Sequence, residues 1–151
     1  MNKIIIIVIF LLYGCGYSSV YKSQKDNDIL ISIIDMSGDK ILNNSLKNQL
    51  TIASNKESLN IFNLSFNTNY KKMIISKNTA GLATNYKLQA TINFKINKNG
   101  INKIITLRES LDIKNEGENF EQTNYENSIK RNFAISIKEK LIQYLIRFDD
   151  N

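Results

Sequence analysis

The most reactive side chain in the sequence is its single thiol. Cys15 closes the stretch MNKIIIIVIFLLYGC, in which Lys3 gives a basic start, Ile4 to Leu12 is unbroken apolar sequence, and Gly14 places a small residue directly before the cysteine. That order is the order of an export signal ending in a cleavage box, where the thiol is acylated and becomes the new N-terminus. Tyr13 is bulkier than the residue usual at its place. An uncleaved membrane span needs about 20 apolar residues, and the polar Gly14-Cys-Gly-Tyr-Ser-Ser19 sequence arrives well before that. A buried N-terminal strand is the other reading, although four consecutive isoleucines show no alternation. The expected organisation is a signal over 1–14, an acylated anchor and tether over 15–28, and one folded domain over 29–151.

Other chemistry is thin. The chain has no histidine, which removes the usual general base and the commonest zinc ligand. No GxGxxG, GK[ST], HExxH or G-x-S-x-G pattern occurs. The carboxylates are scattered, with no pair nominated for acid–base work, so catalysis is not expected and no cofactor is implied. With Cys15 acylated no disulfide can form, and the fold must stand on packing alone.

Twenty Lys and Arg against 14 Asp and Glu give a net charge of +6, a modest excess in a chain rich in Ile, Lys and Asn. Its arrangement is more informative. No acid lies between Glu57 and Glu109, whereas Lys71, Lys72, Lys77, Lys87, Lys95, Lys98, Lys103 and Arg108 all do. The sign then reverses through Glu109, Asp112, Glu116, Glu118, Glu121 and Glu126. One reading is a solvated strand face; the other is a basic surface facing phosphate or another anion. Nucleic acid would suit such a run, but an exported protein rarely meets it.

The elements that must position these charges are readable from periodicity. Gly16 to Asp28 is a polar tether interrupted by Tyr17 and Tyr21. Ile29 to Ile34 is a strand, apolar on both faces as an interior strand would be, and Asp35-Met-Ser-Gly38 breaks it. Ser37 or Asp39 caps a helix whose buried stripe is Leu42, Leu46, Leu50 and Ala53, ending before Asn55. Phe62, Leu64 and Phe66 alternate as a strand whose phase slips near Tyr70 to Lys72, where a bulge or bend is expected. After a turn at Asn78–Gly81, Tyr86, Leu88, Ala90, Ile92, Phe94 and Ile96 alternate without a miss. Asn99-Gly100 supplies the hairpin turn, and Ile105, Leu107, Leu111 and Ile113 return. Glu109 is the misfit on that apolar parity, a residue for a sheet edge. Thr123-Asn-Tyr-Glu126 has the form of a capping box. Behind it a helix of about 25 residues carries Ile129, Phe133, Ile137, Leu141, Tyr144, Leu145 and Phe148, with Lys130, Lys138 and Lys140 off the stripe. The order β-α-β-β-β-α predicts an α+β two-layer sandwich: a four-stranded, mostly antiparallel sheet with two helices on one face. The other face, with Lys87, Lys95 and Arg108, is left open.

Cys15-Gly-Tyr-Ser-Ser-Val-Tyr21 resembles the mature start of the LPS-assembly lipoprotein LptE family in its alphaproteobacterial form, with Ser19 where proline is usual. Ser37-Gly-Asp-Lys-Ile-Leu-Asn-Asn-Ser-Leu46 is similar to that family's first-helix entry, and Ala80-Gly-Leu-Ala-Thr-Asn-Tyr-Lys-Leu88 to the lead into its long central strand. The resemblance implies a protein lipid-anchored through Cys15 at the periplasmic face of the outer membrane. It further implies an LptD-like β-barrel translocon as partner, for which the chain acts as plug and assembly factor, and contact with lipopolysaccharide. Basic residues bind lipid A phosphates in that family; here Lys71, Lys72, Lys87 and Lys95 of the acid-free window are the candidates. An auxiliary lipoprotein of an ABC-type envelope lipid transport system is the alternative, and a structural envelope lipoprotein without a lipid ligand a third.

Overall fold

The computed structural model describes residues 28–115 and 119–149; the signal, Cys15 and nearly all of the tether lie outside them. The elements run β1 (Leu30–Gly38), α1 (Lys40–Ala53), β2 (Ile61–Lys77), β3 (Ala83–Lys98), β4 (Ile101–Lys114) and α2 (Asn119–Asp149). The four strands form one sheet in the order β1-β2-β3-β4. β1 runs parallel to β2, while β2–β3 and β3–β4 are antiparallel. The architecture is the expected α+β sandwich with one sheet face open.

The alternation of β3 is realised in full: Leu88, Ala90, Ile92, Phe94 and Ile96 are buried. They join Phe62, Leu64 and Phe66 of β2, the α1 stripe Leu42, Leu46, Leu50 and Ala53, and Ile129, Phe133, Ile137, Leu141 and Leu145 of α2 in a single core. Full burial of each Leu, Ile or Phe side chain among them contributes about 1.5–3 kcal/mol before chain entropy is set against it. The β3–β4 turn is the two-residue type expected, with Asn99 at φ 51° and Gly100 at φ 84°.

Five sequence expectations are corrected. β1 does not stop at Ile34 but continues to Gly38, because Asp35 to Gly38 pair with Ser65 to Thr68 after a bulge between Ile33 and Asp35. It is also an edge strand, and Ile34 is 65% exposed. The phase slip in β2 falls between Ile74 and Lys77, not near Tyr70. α2 begins at Asn119, so Thr123 lies within the helix and Glu126 is not part of a cap. Lys138, expected off the stripe, is buried, its ammonium 3.9 Å from Glu139.

The crossover from β1 to α1 is held by Gly38. Its φ is +105°, and a Cβ at this position would stand 1.8 Å from the Thr68 carbonyl oxygen, so only glycine fits. Asp39 follows as N-cap, accepting from the Leu42 N–H at 2.9 Å. The buried Thr68 hydroxyl meets the Asn43 side-chain oxygen at 2.7 Å, tying β2 to the first turn of α1. In the sequence Asn43 belongs to the polar face of the first helix, whereas Thr68 lies on the buried parity of Phe62, Leu64 and Phe66.

Candidate ligand and partner surfaces

Side-chain alternation decides which lysines share a face. Lys71 pairs in register with Gln89, Met73 with Lys87, and Ser65 with Lys95, so Lys71, Lys87 and Lys95 all project from the open face of the sheet. Arg108, opposite Thr91, joins them from β4. Between these cations the face is a ladder of amides and hydroxyls. The Thr106 hydroxyl donates to Asn93 at 2.7 Å, the Asn97 amide to Asn102 at 2.8 Å, and the Asn67 amide to Ser37 at 2.9 Å. Ile104 stands among them, 72% exposed. Such a face offers many hydrogen bonds and dispersed positive charge.

Lys72 does not belong to it. One residue on from Lys71, it turns to the helix side, bonds the Glu126 carboxylate and lies 4.1 Å over the Tyr86 ring. Glu126 also accepts from Gln122 at 3.2 Å. Lys87 is answered as well, by Asp112 at 3.7 Å, although both groups are exposed and the pair is weak. The acid-rich stretch after Glu109 thus partly neutralises the basic stretch before it, within the fold. Lys71 and Lys95 have no ion pair among the described residues.

Two further ion pairs lay α2 onto its neighbours. Lys130 reaches Asp39 at 2.6 Å and covers the Tyr70 ring at 4.2 Å. Lys140 reaches Glu109 at 2.7 Å, and the Ser136 hydroxyl donates to the same carboxylate. Glu109 is therefore no misfit: it sits on the edge strand, facing the helix, with two partners. Burial works to raise the Asp39 pKa, but the Lys130 hydrogen bond, the Leu42 N–H and the Lys130 charge outweigh it and hold the carboxyl below its usual range. Burial, then the negative charges of Glu126 and Asp39, push the Tyr70 hydroxyl above its ordinary value. Among the described residues no cluster of acidic or cysteine side chains is arranged to hold a metal ion.

The two ends of the sheet differ. β3 at about 3.3 Å per residue is roughly 50 Å long. At the β2–β3 end Ile74, Ile75 and Leu82 are 53, 47 and 65% exposed, an apolar tip around the Asn78–Gly81 turn. The Asn78 side chain braces that turn by accepting from the Ala80 and Leu82 N–H groups. The opposite end carries the start of β1 and the β3–β4 hairpin.

No protein-family model matches the chain, and no curated protein matches it. Solved structures do resemble its fold. Rare lipoprotein B from Shewanella oneidensis superposes with a TM-score of 0.61 at 12% identity, covering 80% of this chain and 98% of that one. A lipoprotein from Caulobacter crescentus gives 0.55 at 13% identity, covering 78% and 88%. A minor lipoprotein from Acinetobacter baumannii gives 0.50 at 16%, covering 73% and 93%. The chain therefore has the fold of this group of lipoproteins, at identities that speak for architecture alone.

Proposed function

We propose that the protein is a lipid-anchored lipoprotein of the LPS-assembly type, held by Cys15 at the periplasmic face of the outer membrane. Its partner is a large LptD-like β-barrel translocon, which it plugs and helps assemble during lipopolysaccharide transport. The observation that carries the reading is a coincidence: a sandwich with the fold of named lipoproteins directly follows a cysteine in a lipoprotein-type cleavage box. The role is one of contact and placement rather than catalysis. The open face, polar and dotted with Lys71, Lys87, Lys95 and Arg108, suits a hydrated barrel lumen and the phosphates of lipid A. The apolar tip around Leu82, at the end of the sheet opposite the start of β1, would suit contact with a partner's apolar surface.

The lysine assignment is tested by binding lipopolysaccharide at low salt to the Lys71→Gln, Lys87→Gln, Lys95→Gln triple variant. Each charge-assisted contact is worth about 1.5–3 kcal/mol, so the triple variant should bind at least tenfold more weakly. Unchanged affinity removes the open face as the lipid site. Lys72→Gln alone should leave binding intact, since its ammonium is committed to Glu126.

A further inference from the structure

The sheet has two edges, and they are not alike. β1 is short, and a bulge between Ile33 and Asp35 interrupts it. β4 pairs with β3 without a break from Ile101 to Lys114, and carries none of the prolines or bulges that blunt an edge. The two-residue turn makes Lys98 and Ile101 a hydrogen-bonded pair. Odd-numbered residues of β4 therefore bond β3, and even-numbered ones turn their N–H and C=O outward. The side-chain bonds Asn97–Asn102 and Asn93–Thr106 fall in the closer pairs between, as that pattern requires. Among the outward groups, the Arg108 carbonyl has only a long contact, the Lys140 ammonium at 3.5 Å. Along this edge Ile101, Ile104 and Leu111 are 56, 72 and 43% exposed. Lys103 has no ion pair among the described residues. Glu109 is bound on one side only, since Lys140 and Ser136 both reach its Oε1.

We propose that β4 pairs antiparallel with β4 of a second copy of this chain, about a two-fold axis at Thr106, so that two four-stranded sheets become one. Residues opposed in such a ladder project from the same face, so the register slides only by two at a time. With Thr106 opposite itself, Ile105 faces Leu107, Ile101 faces Leu111 and Lys103 faces Glu109, each twice by symmetry. The Lys103 ammonium then meets the Oε2 side of the Glu109 carboxylate. With the axis at Ile105 or Leu107 instead, Glu109 opposes Ile101 or Ile105, and Lys103 opposes Leu107 or Leu111. An axis at Arg108 sets that arginine against itself. Opposite charges and paired apolar groups stabilise a ladder, and facing like charges weaken it, so charge complementarity selects both the partner and the register. Lys140 gives up its long contact to Arg108 and keeps Glu109. The inference goes beyond the anchoring reading and needs neither lipid nor barrel.

Cys15 is the one cysteine of the chain, so the acylated full-length parent is the blank for cross-linking in mild detergent. Oxidation should link Thr106→Cys to itself, because a hydrogen-bonded pair sets its Cα atoms about 5.5 Å apart, within disulfide reach. Ile104→Cys alone should not link, its two copies standing about 13 Å apart along the strands. Mixed with Arg108→Cys, it should. Adding Lys103→Glu to Thr106→Cys should cut the linked fraction roughly tenfold, by opposing like charges at both symmetric positions; adding Lys87→Gln should not change it. Should Thr106→Cys disturb the strand, amide hydrogen exchange of the parent gives a second reading, with the outward N–H groups of Ile104 and Thr106 protected at high protein concentration. Failure of Thr106→Cys to link, equal linking by Ile104→Cys, or linking undiminished by Lys103→Glu would each overturn the proposal. So would linking of Thr106→Cys to a different polypeptide, or fast exchange at Ile104 and Thr106 at every concentration. None of these outcomes depends on whether a barrel co-purifies.

Discussion

Lys130 and Asp39, 91 residues apart, meet at 2.6 Å where α2 crosses the start of α1. The same Asp39 caps α1 through the Leu42 N–H, so one carboxylate fixes both the start of one helix and the position of the other. Asp39→Ala removes a cap worth about 1 kcal/mol and a charge-assisted bond of about 1.5–3 kcal/mol, for an expected loss of about 2–4 kcal/mol. Asp39→Asn keeps the cap and should lose less. Because the folded carboxyl titrates below its usual range, its stabilisation is present above the ordinary value of about 3.9 and is lost as pH falls through the folded one. Urea unfolding from pH 6 down to 2 should show a steeper acid loss in the parent than in Asp39→Asn; parallel curves would remove the pair from the account.

Tyr70 gives the opposite slope. Its hydroxyl is held neutral past the usual tyrosine value of about 10, so the unfolded chain releases its proton first and stability falls as pH rises above that point. Tyr70→Phe should lie within about 1 kcal/mol of the parent at pH 7, and should lose less stability between pH 9 and 11. Thermal melts across that range check it, and equal alkaline slopes would contradict it.

Gly38 and Gly100 share positive φ but not their surroundings. A Cβ at Gly38 collides with the Thr68 carbonyl, whereas one at Gly100 meets nothing within 4 Å. Gly38→Ala should cost about 3 kcal/mol or more through combined strain and overpacking, and Gly100→Ala about 1 kcal/mol. Comparing the two unfolding midpoints isolates the clash.

These residues also show what was legible in the sequence. The β3 alternation and the stripe of α1 were open to inspection, because a half-buried strand or helix writes its burial as a period. The assignment of Lys71 and Lys72 was not. Neighbouring strand residues point to opposite faces, so knowing the face requires knowing where the bulge falls, and Met73, Ile74 and Ile75 are apolar yet all exposed. β1 misled for a related reason: a run apolar on both faces reads as interior, but here it supplies a parallel edge whose later residues are kept extended by β2. A cavity beside the β3–β4 hairpin brings Lys98 and Lys103 to Arg147, more than forty positions away in the sequence, and only the antiparallel return of α2 makes them neighbours.

Cys15 carries the anchoring half of the functional reading. Cys15→Ala should move the protein from the membrane fraction to the soluble fraction of cells while leaving its far-ultraviolet circular dichroism unchanged. Continued sedimentation with membranes would mean that something other than a lipid on that thiol holds the chain.

The central claim is the partner, and affinity purification of the acylated protein from solubilised envelopes tests it most directly. An outer-membrane β-barrel LPS-assembly protein should accompany it in near-equal amount. Recovery with inner-membrane or periplasmic components of an ABC-type lipid transporter, or with no barrel at all, would contradict the account.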